Sequence, residues 1–137
     1  MKKVMILFDG SCLRNGHPDA AAGWGIVVSD AATGQTLHSD NGKVVGKQTN
    51  NRAELTAFHE ALKWMDQHNA SAVIQGDSQL VLNGVQGLAK RKANRDLWSP
   101  IEKLCQKLSG RIKVEKVCRE TNNDADELAR IGANKLI

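Results

Sequence analysis

Four acidic residues lie next to the ends of predicted secondary-structure elements, where they could do chemistry together. Asp9 follows the apolar run VMILF, Glu54 opens an amphipathic stretch after TNNRA, and Asp77 follows SAVIQG. Asp126 lies in NNDADELAR, at the start of the last predicted helix. Because side chains at the ends of strands and helices can meet from distant parts of a chain, we expect these carboxylates to converge.

Converging carboxylates repel one another unless protonation or a bound cation relieves the repulsion. Asp9 comes directly after five apolar residues, where an unpaired charge would be costly. A set of hard oxygen ligands without a histidine or cysteine suits Mg²⁺ or Mn²⁺. The four acids therefore form a candidate site for a divalent cation.

Three of the four acids, all except Asp9, also have a purely structural interpretation when taken alone. Asn51 to Glu54 could form a capping box, with Glu54 in the first turn of its helix. Asp77 or Ser78 could be an N-cap, and Asp126 could be an ordinary first-turn acid.

Composition favours one globular domain over residues 1–137. Apolar residues make up 41% of the chain, and no apolar run is long enough to span a membrane. The net charge of +4 is compatible with a nucleic-acid partner. The three cysteines are widely spaced and form no metal-binding motif, which favours a reducing cytoplasm and argues against a thiol redox protein. We expect a cytoplasmic monomer without a membrane partner.

The hydrophobic periodicity predicts the order β-β-β-α-β-α-α-β-α, and thus an α/β protein with a mixed sheet. The DNG sequence at 40–42 predicts a hairpin turn within the third stretch, and Pro100 is expected in the first turn of its helix. The predicted strands are 4–8, 22–30, 35–48, 71–77 and 111–117, and the predicted helices are 55–65, 78–88, 97–108 and 124–137.

Four motifs of the sequence resemble those of type 1 ribonuclease H. They are DGS at Asp9, TNNRAE ending at Glu54, GDSQ around Asp77, and DELAR from Asp126. The resemblance extends from Lys3 to about Ala133 and includes the order of elements. It implies a ribonuclease H-like fold, with a five-stranded mixed sheet of three antiparallel strands followed by parallel strands, flanked by helices.

The resemblance also implies hydrolysis of the RNA strand of an RNA–DNA hybrid, giving 5′-phosphate and 3′-hydroxyl ends. Asp9, Glu54, Asp77 and Asp126 would be the catalytic, metal-binding acids, with Asp124 as an alternative for the fourth. Two Mg²⁺ ions about 3.5–4 Å apart would bind there, with Mn²⁺ as an alternative metal.

Substrate contacts follow from the same resemblance. Asn15, Asn50, Asn51 and Gln79 match positions that lie in the minor groove of the hybrid, where 2′-hydroxyl groups distinguish RNA from DNA. Thr49 matches a phosphate-contacting position. Helix capping is the alternative role for the two adjacent asparagines, and both roles can coexist.

The sequence departs from the family pattern at two places. The loop VCRETNNDAD lacks the histidine common in the family, and the four histidines (His17, His38, His59 and His68) are interpreted as ordinary surface or partly buried residues. Glu120 is a candidate for a role in metal exchange. The basic segment at 89–95 is short; its candidate phosphate-binding residues are Lys90, Arg91, Lys92 and Arg95, with a solvated loop as the alternative.

Trp98, the aromatic residue nearest to the basic segment, is expected in the core and not as a platform for nucleic acid. Two rival functions share the predicted fold. One is a hybrid- or RNA-binding module without activity, which the presence of all four acids disfavours. The other is a nuclease that acts on DNA, which the combination of DGS, TNNRAE and ADELAR disfavours.

Overall fold

A five-stranded mixed sheet forms the centre of the protein, in a computed structural model that describes residues 1–87 and 93–135. The strand order is β3-β2-β1-β4-β5; β1 pairs antiparallel with β2 and parallel with β4. The β2–β3 pair is antiparallel and the β4–β5 pair is parallel, as predicted. The strands are β1 (Lys2–Leu13), β2 (Ala21–Asp30), β3 (Thr36–Lys43), β4 (Ala70–Gly76) and β5 (Ile112–Lys116).

Helices connect and cover the strands in the predicted order. A short 3-10 helix, Arg119–Asn122, precedes the last of them. No helix in the described part of the chain is both long and apolar enough to cross a membrane. The α-helices are α1 (Asn50–His68), α2 (Gln79–Val85), α3 (Arg95–Lys107) and α4 (Asn123–Ala133).

The main hydrophobic core lies between the sheet and α1. The apolar positions that predicted this helix are all fully buried, from Leu55 to Met65. Phe8 of β1 packs edge-on against Phe58, with ring centroids 5.4 Å apart. Trp98 of α3 is only 4% exposed and belongs to the same core, so the prediction of a core role is confirmed.

The predicted hairpin turn at 40–42 is wrong, because β3 continues through these residues. Asn41 pairs with Gly25, and Gly42 pairs with Trp24. A Cβ atom on Gly42 would lie 2.8 Å from Trp24 Nε1, and a Cβ atom on Gly132 would lie 2.3 Å from the Gly42 carbonyl oxygen. The glycine is therefore explained by close packing of an indole ring and a helix, not by a turn.

Two element boundaries also differ from the prediction in ways that matter for the site. The first strand continues to Leu13, so Asp9 lies inside the strand and not at its end. The third helix begins at Arg95, so Pro100 is its sixth residue and lies beyond the first turn.

The last helix packs on a glycine-bearing face of β2. A Cβ atom on Gly23 would lie 2.0 Å from the Ala133 nitrogen, and one on Gly25 would lie 2.6 Å from the Ala125 carbonyl oxygen. Because side chains alternate along a strand, Trp24 and Ile26 point to the opposite face, into the core with α1. Glycine in β2 therefore sets how close α4 can come to the sheet.

We expect Gly23→Ala to destabilise the protein by about 1–3 kcal/mol, since overpacking against backbone atoms displaces the helix. Urea unfolding of the parent and the variant measures the difference. Ser29→Ala, near the end of the same strand, is the matched control and is expected to change the free energy of unfolding little. Equal losses in both variants would contradict this account of the helix–sheet contact.

Candidate active site

Asp9, Glu54 and Asp77 each bring a carboxylate oxygen to one place, and the three oxygens lie within 4.8 Å of one another. Asp9 lies two residues beyond Leu7, the last residue of β1 that pairs with β4. Asp77 directly follows the last residue of β4. Glu54 comes from α1, which packs so closely on β1 that a Cβ atom on Gly10 would lie 2.4 Å from the Glu54 nitrogen. We call these three residues the acidic cluster.

Asp126 joins the edge of the acidic cluster from the first turn of α4. Its carboxyl group lies within hydrogen-bonding reach of Asp9, and this interaction adds to the effect of burial in raising the pKa of Asp9. Its Oδ2 atom also pairs with Arg130 Nη2 at 3.1 Å, so Asp126 already has a counter-charge. Asp124 borders a different groove, together with Val27, and is exposed.

Burial and mutual repulsion make the acidic cluster unfavourable as a set of charges. Asp9 is 5% exposed, and burial, followed by the charge of Asp77, raises its pKa. Burial, followed by the charges of Asp9 and Asp77, raises the pKa of Glu54. Among the described residues, the buried Glu54 Oε2 atom has no hydrogen-bond partner. Carboxylate oxygens held this close together, one of them without a partner, fit a hard divalent cation.

The capping interpretation of Glu54 is wrong. The N-cap of α1 is Thr49, whose Oγ1 accepts a hydrogen bond from the Arg52 nitrogen at 3.2 Å. Since the helix begins at Asn50, Glu54 is its fifth residue and lies past the first turn. Its side chain is therefore not needed to satisfy the helix terminus.

The second helix is capped by Ser78 and not by Asp77. Ser78 Oγ accepts a hydrogen bond from the Val81 nitrogen at 3.3 Å. This settles the choice that the sequence leaves open and leaves the Asp77 carboxylate to the acidic cluster.

Four of the predicted substrate-contact residues share one pocket at the N-terminus of α1. Asn15, in the loop after β1, accepts a hydrogen bond from the Asn50 nitrogen through its Oδ1 atom at 3.1 Å. The pocket has a volume of about 680 Å³ and includes Lys47, which was not predicted although it directly precedes QTNN in the sequence. The other predicted residues that line it are Thr49 and Asn51, and His17 lines it as well.

Gln79 lies apart from that pocket, at the first position of α2. Its Oε1 atom accepts a hydrogen bond from Lys116 Nζ at 2.9 Å, and its Nε2 atom donates to Asn83 Oδ1 at 2.6 Å. These two contacts fix which end of the amide faces which neighbour. Lys116 was not predicted; its only signal is its position as the last residue of an alternating strand.

The basic segment is described only in part. Lys90, Arg91 and Lys92 lie outside the described residues, and Arg95 opens α3, where it pairs with Glu102 at 2.6 Å. The role of the basic segment in phosphate binding stays a prediction. The role of Glu120 in metal exchange also stays a prediction; this residue is exposed in the 3-10 helix.

The family model for RNase H matches residues 1–134. A Ribonuclease H of Chlorobium phaeovibrioides is 33% identical over 98% of this chain and 97% of its own length. A Ribonuclease H of Syntrophomonas wolfei is 32% identical over 99% of both chains.

Solved structures of the same family are similar in three dimensions. The N-terminal RNase H domain of rv2228c from Mycobacterium tuberculosis is 30% identical, with a TM-score of 0.85 over 98% of this chain and 95% of that one. LC11-RNase H1, solved in complex with an RNA/DNA hybrid, is 25% identical, with a TM-score of 0.82 over 96% of both chains. The match of the family model over nearly the whole chain, together with relatives that are more than 30% identical over at least 97% of their length, shows that this chain belongs to the RNase H family.

Proposed function

We propose that this protein is an endonuclease that hydrolyses the RNA strand of RNA–DNA hybrids, with residues 1–137 acting as one catalytic domain. The observation that carries the proposal is the acidic cluster, with three carboxylate oxygens within 4.8 Å and one buried oxygen without a partner among the described residues. Family membership supports the reaction, and the relative solved with an RNA/DNA hybrid supports the substrate class.

The acids of the site fit divalent metal ions, which we infer to be two Mg²⁺, with Mn²⁺ as the alternative. Asp9, Glu54 and Asp77 would hold them, with Asp126 at the edge of the site. When bound, the metal would activate the attacking water and stabilise the leaving oxygen. Water oxygen would bond to phosphorus as the bond from phosphorus to the 3′ oxygen breaks, which leaves 5′-phosphate and 3′-hydroxyl ends.

The polar pocket at the start of α1 supports recognition of the hybrid by shape. Asn15, Asn50 and Asn51 can exchange hydrogen bonds with 2′-hydroxyl groups and base edges, and Thr49 can donate to a phosphate. Lys47 adds a positive charge on the same pocket. Gln79, whose amide is oriented by Lys116, would contact the minor groove beside the acidic cluster.

Parallel cleavage assays on four labelled substrates test the function directly. We expect Mg²⁺-dependent cleavage of RNA in an RNA–DNA hybrid, and little cleavage of double-stranded RNA, double-stranded DNA or single-stranded RNA. Binding of the hybrid without cleavage in any divalent metal would favour the silent binding module. Cleavage of DNA would favour the DNA nuclease.

Asp77→Asn removes one charge from the acidic cluster with almost no change in volume. We expect turnover to fall by orders of magnitude while hybrid affinity stays close to that of the parent, because Asp77 would act on the reacting phosphate and not on binding. Single-turnover cleavage in Mg²⁺ and hybrid binding in EDTA measure the two separately. Turnover near the parent rate would rule out Asp77 as a metal-binding residue.

Glu54→Gln distinguishes the roles of charge and shape within α1. We expect a folded protein with activity lowered by orders of magnitude, since the amide cannot replace the carboxylate toward a divalent cation. Its environment raises the pKa of Glu54 to about 9 from an ordinary 4.5, so the metal-free fold binds that proton more tightly than the unfolded chain. Stability from this group is therefore present below pH 4.5 and is lost as pH rises toward 9.

Because glutamine is neutral throughout, the variant should melt at a higher temperature than the parent in EDTA near pH 9, and the difference should shrink near pH 4.5. Thermal unfolding at several pH values measures this. A variant that melts lower than the parent at every pH and cleaves normally would show that Glu54 serves the helix and not the reaction.

Replacing Lys90, Arg91, Lys92 and Arg95 with alanine should weaken hybrid binding and flatten its salt dependence. For each contact with a phosphate that the substitutions remove, the log–log salt slope should fall by roughly 0.9. A control with the same change in charge replaces Lys2, Lys3, Arg111 and Lys113, near the start of β1 and β5 and far from the acidic cluster. Equal salt slopes for the parent and the first variant would show that these four residues do not bind phosphate and would favour the alternative of a solvated loop.

A further inference from the structure

Asn122 lies at the junction between the 3-10 helix and α4 and is fully buried, at 0% exposure. Its Nδ2 atom donates a hydrogen bond to the Phe8 carbonyl oxygen at 2.9 Å. Although its backbone is at the N-cap position of α4, its side chain makes no capping hydrogen bond to that helix. The side chain therefore serves a contact with the sheet and not the helix terminus.

The Phe8 carbonyl group lies just past the point where β1 and β4 stop pairing. Pairing between β1 and β4 ends at Leu7 and Gln75, and β4 itself ends one residue later. Phe8 also directly precedes Asp9. The hydrogen bond from Asn122 thus joins β1 to the beginning of α4 at the residue next to the acidic cluster, and Asp126 follows four residues later.

The two ends of the Asn122 amide differ in their partners. Among the described residues, the buried Oδ1 atom of Asn122 has no hydrogen-bond partner. That unpaired atom costs free energy, whereas an apolar side chain in the same place would remove the donor to the Phe8 carbonyl oxygen. Within the described residues, the hydrogen bond to Phe8 is the polar contact that this side chain supplies.

We propose that Asn122 is a positioning residue that sets the separation between the carboxylates of Asp9 and Asp126, and through it the affinity of the acidic cluster for a divalent cation. This rests on the proposed function. The side chain touches neither the substrate nor the cation; it fixes the start of α4 against β1. Its removal lets the first turn of α4, with Asp126, move away from Asp9.

The test measures Mn²⁺ binding to the metal-free protein by calorimetry, in the parent, Asn122→Ala and Asn122→Leu. The leucine variant keeps the branched shape and leaves no cavity, whereas the alanine variant avoids overpacking, so the two variants fail to fold for different reasons. We expect the dissociation constant for Mn²⁺ to rise about tenfold or more, as is typical when a group that orients a ligand is removed. Hybrid affinity in EDTA should change less than about twofold, because the pocket at the start of α1 is untouched.

Asn123→Ala is the matched control, since this neighbouring asparagine is exposed and should leave Mn²⁺ binding unchanged. A folded variant of Asn122 with the parent's affinity for Mn²⁺ overturns the inference. Asp9→Asn separates the two proposals. If it binds Mn²⁺ as well as the parent does, the metal site of the proposed function is wrong; if it loses binding while the Asn122 variants do not, only the role of Asn122 fails.

Discussion

The mutual repulsion of Asp9, Glu54 and Asp77 is the constraint that the surrounding structure must overcome. Three carboxylates with oxygens within 4.8 Å are held together because Asp9 and Glu54 are fixed to rigid elements and Asp77 directly follows β4. Asp9 lies on a central strand, which is anchored by pairing on both sides, and Glu54 on a helix that leaves no room for a Cβ atom on Gly10. The hydrophobic core below them supplies the free energy that holds this arrangement.

The local pattern of apolar and turn-forming residues was sufficient to predict the order of helices and strands. It was not sufficient to predict contacts between elements that are distant in the sequence. The period of the apolar residues from Leu55 to Met65 predicted α1 because one face of that helix is buried. The same local logic misread Asn41 and Gly42 as a turn. The need for glycine at position 42 comes from Trp24 and from the close approach of α4. These contacts involve residues that are distant in the sequence. Turn propensity cannot contain that information.

In the candidate site, too, some features could be predicted from the sequence and others depend on contacts between distant residues. The four acids could be predicted from their motifs, because the chemistry of a cation site restricts the residue types, and the structure brings three of them together with Asp126 at the edge. The start of α1 could not be fixed, since Thr49, Asn50 and Asn51 are all good N-cap residues and the sequence does not say which one caps. Lys116 and Asn122 could not be found at all, because each acts through one contact between distant elements and belongs to no periodic pattern.

Cations near the site are arranged so that they do not neutralise the acidic cluster. Arg52, two residues before Glu54, is buried, yet its guanidinium makes two hydrogen bonds to Asp96, at 2.9 and 2.8 Å, and one to the Val45 carbonyl oxygen. Arg130 pairs with Asp126 at the edge of the site. Within residues 1–87 and 93–135, no ion pair reaches the three central carboxylates. A fixed arginine there would relieve the repulsion, so the engagement of Arg52 with Asp96 leaves the acidic cluster available for the proposed divalent cation.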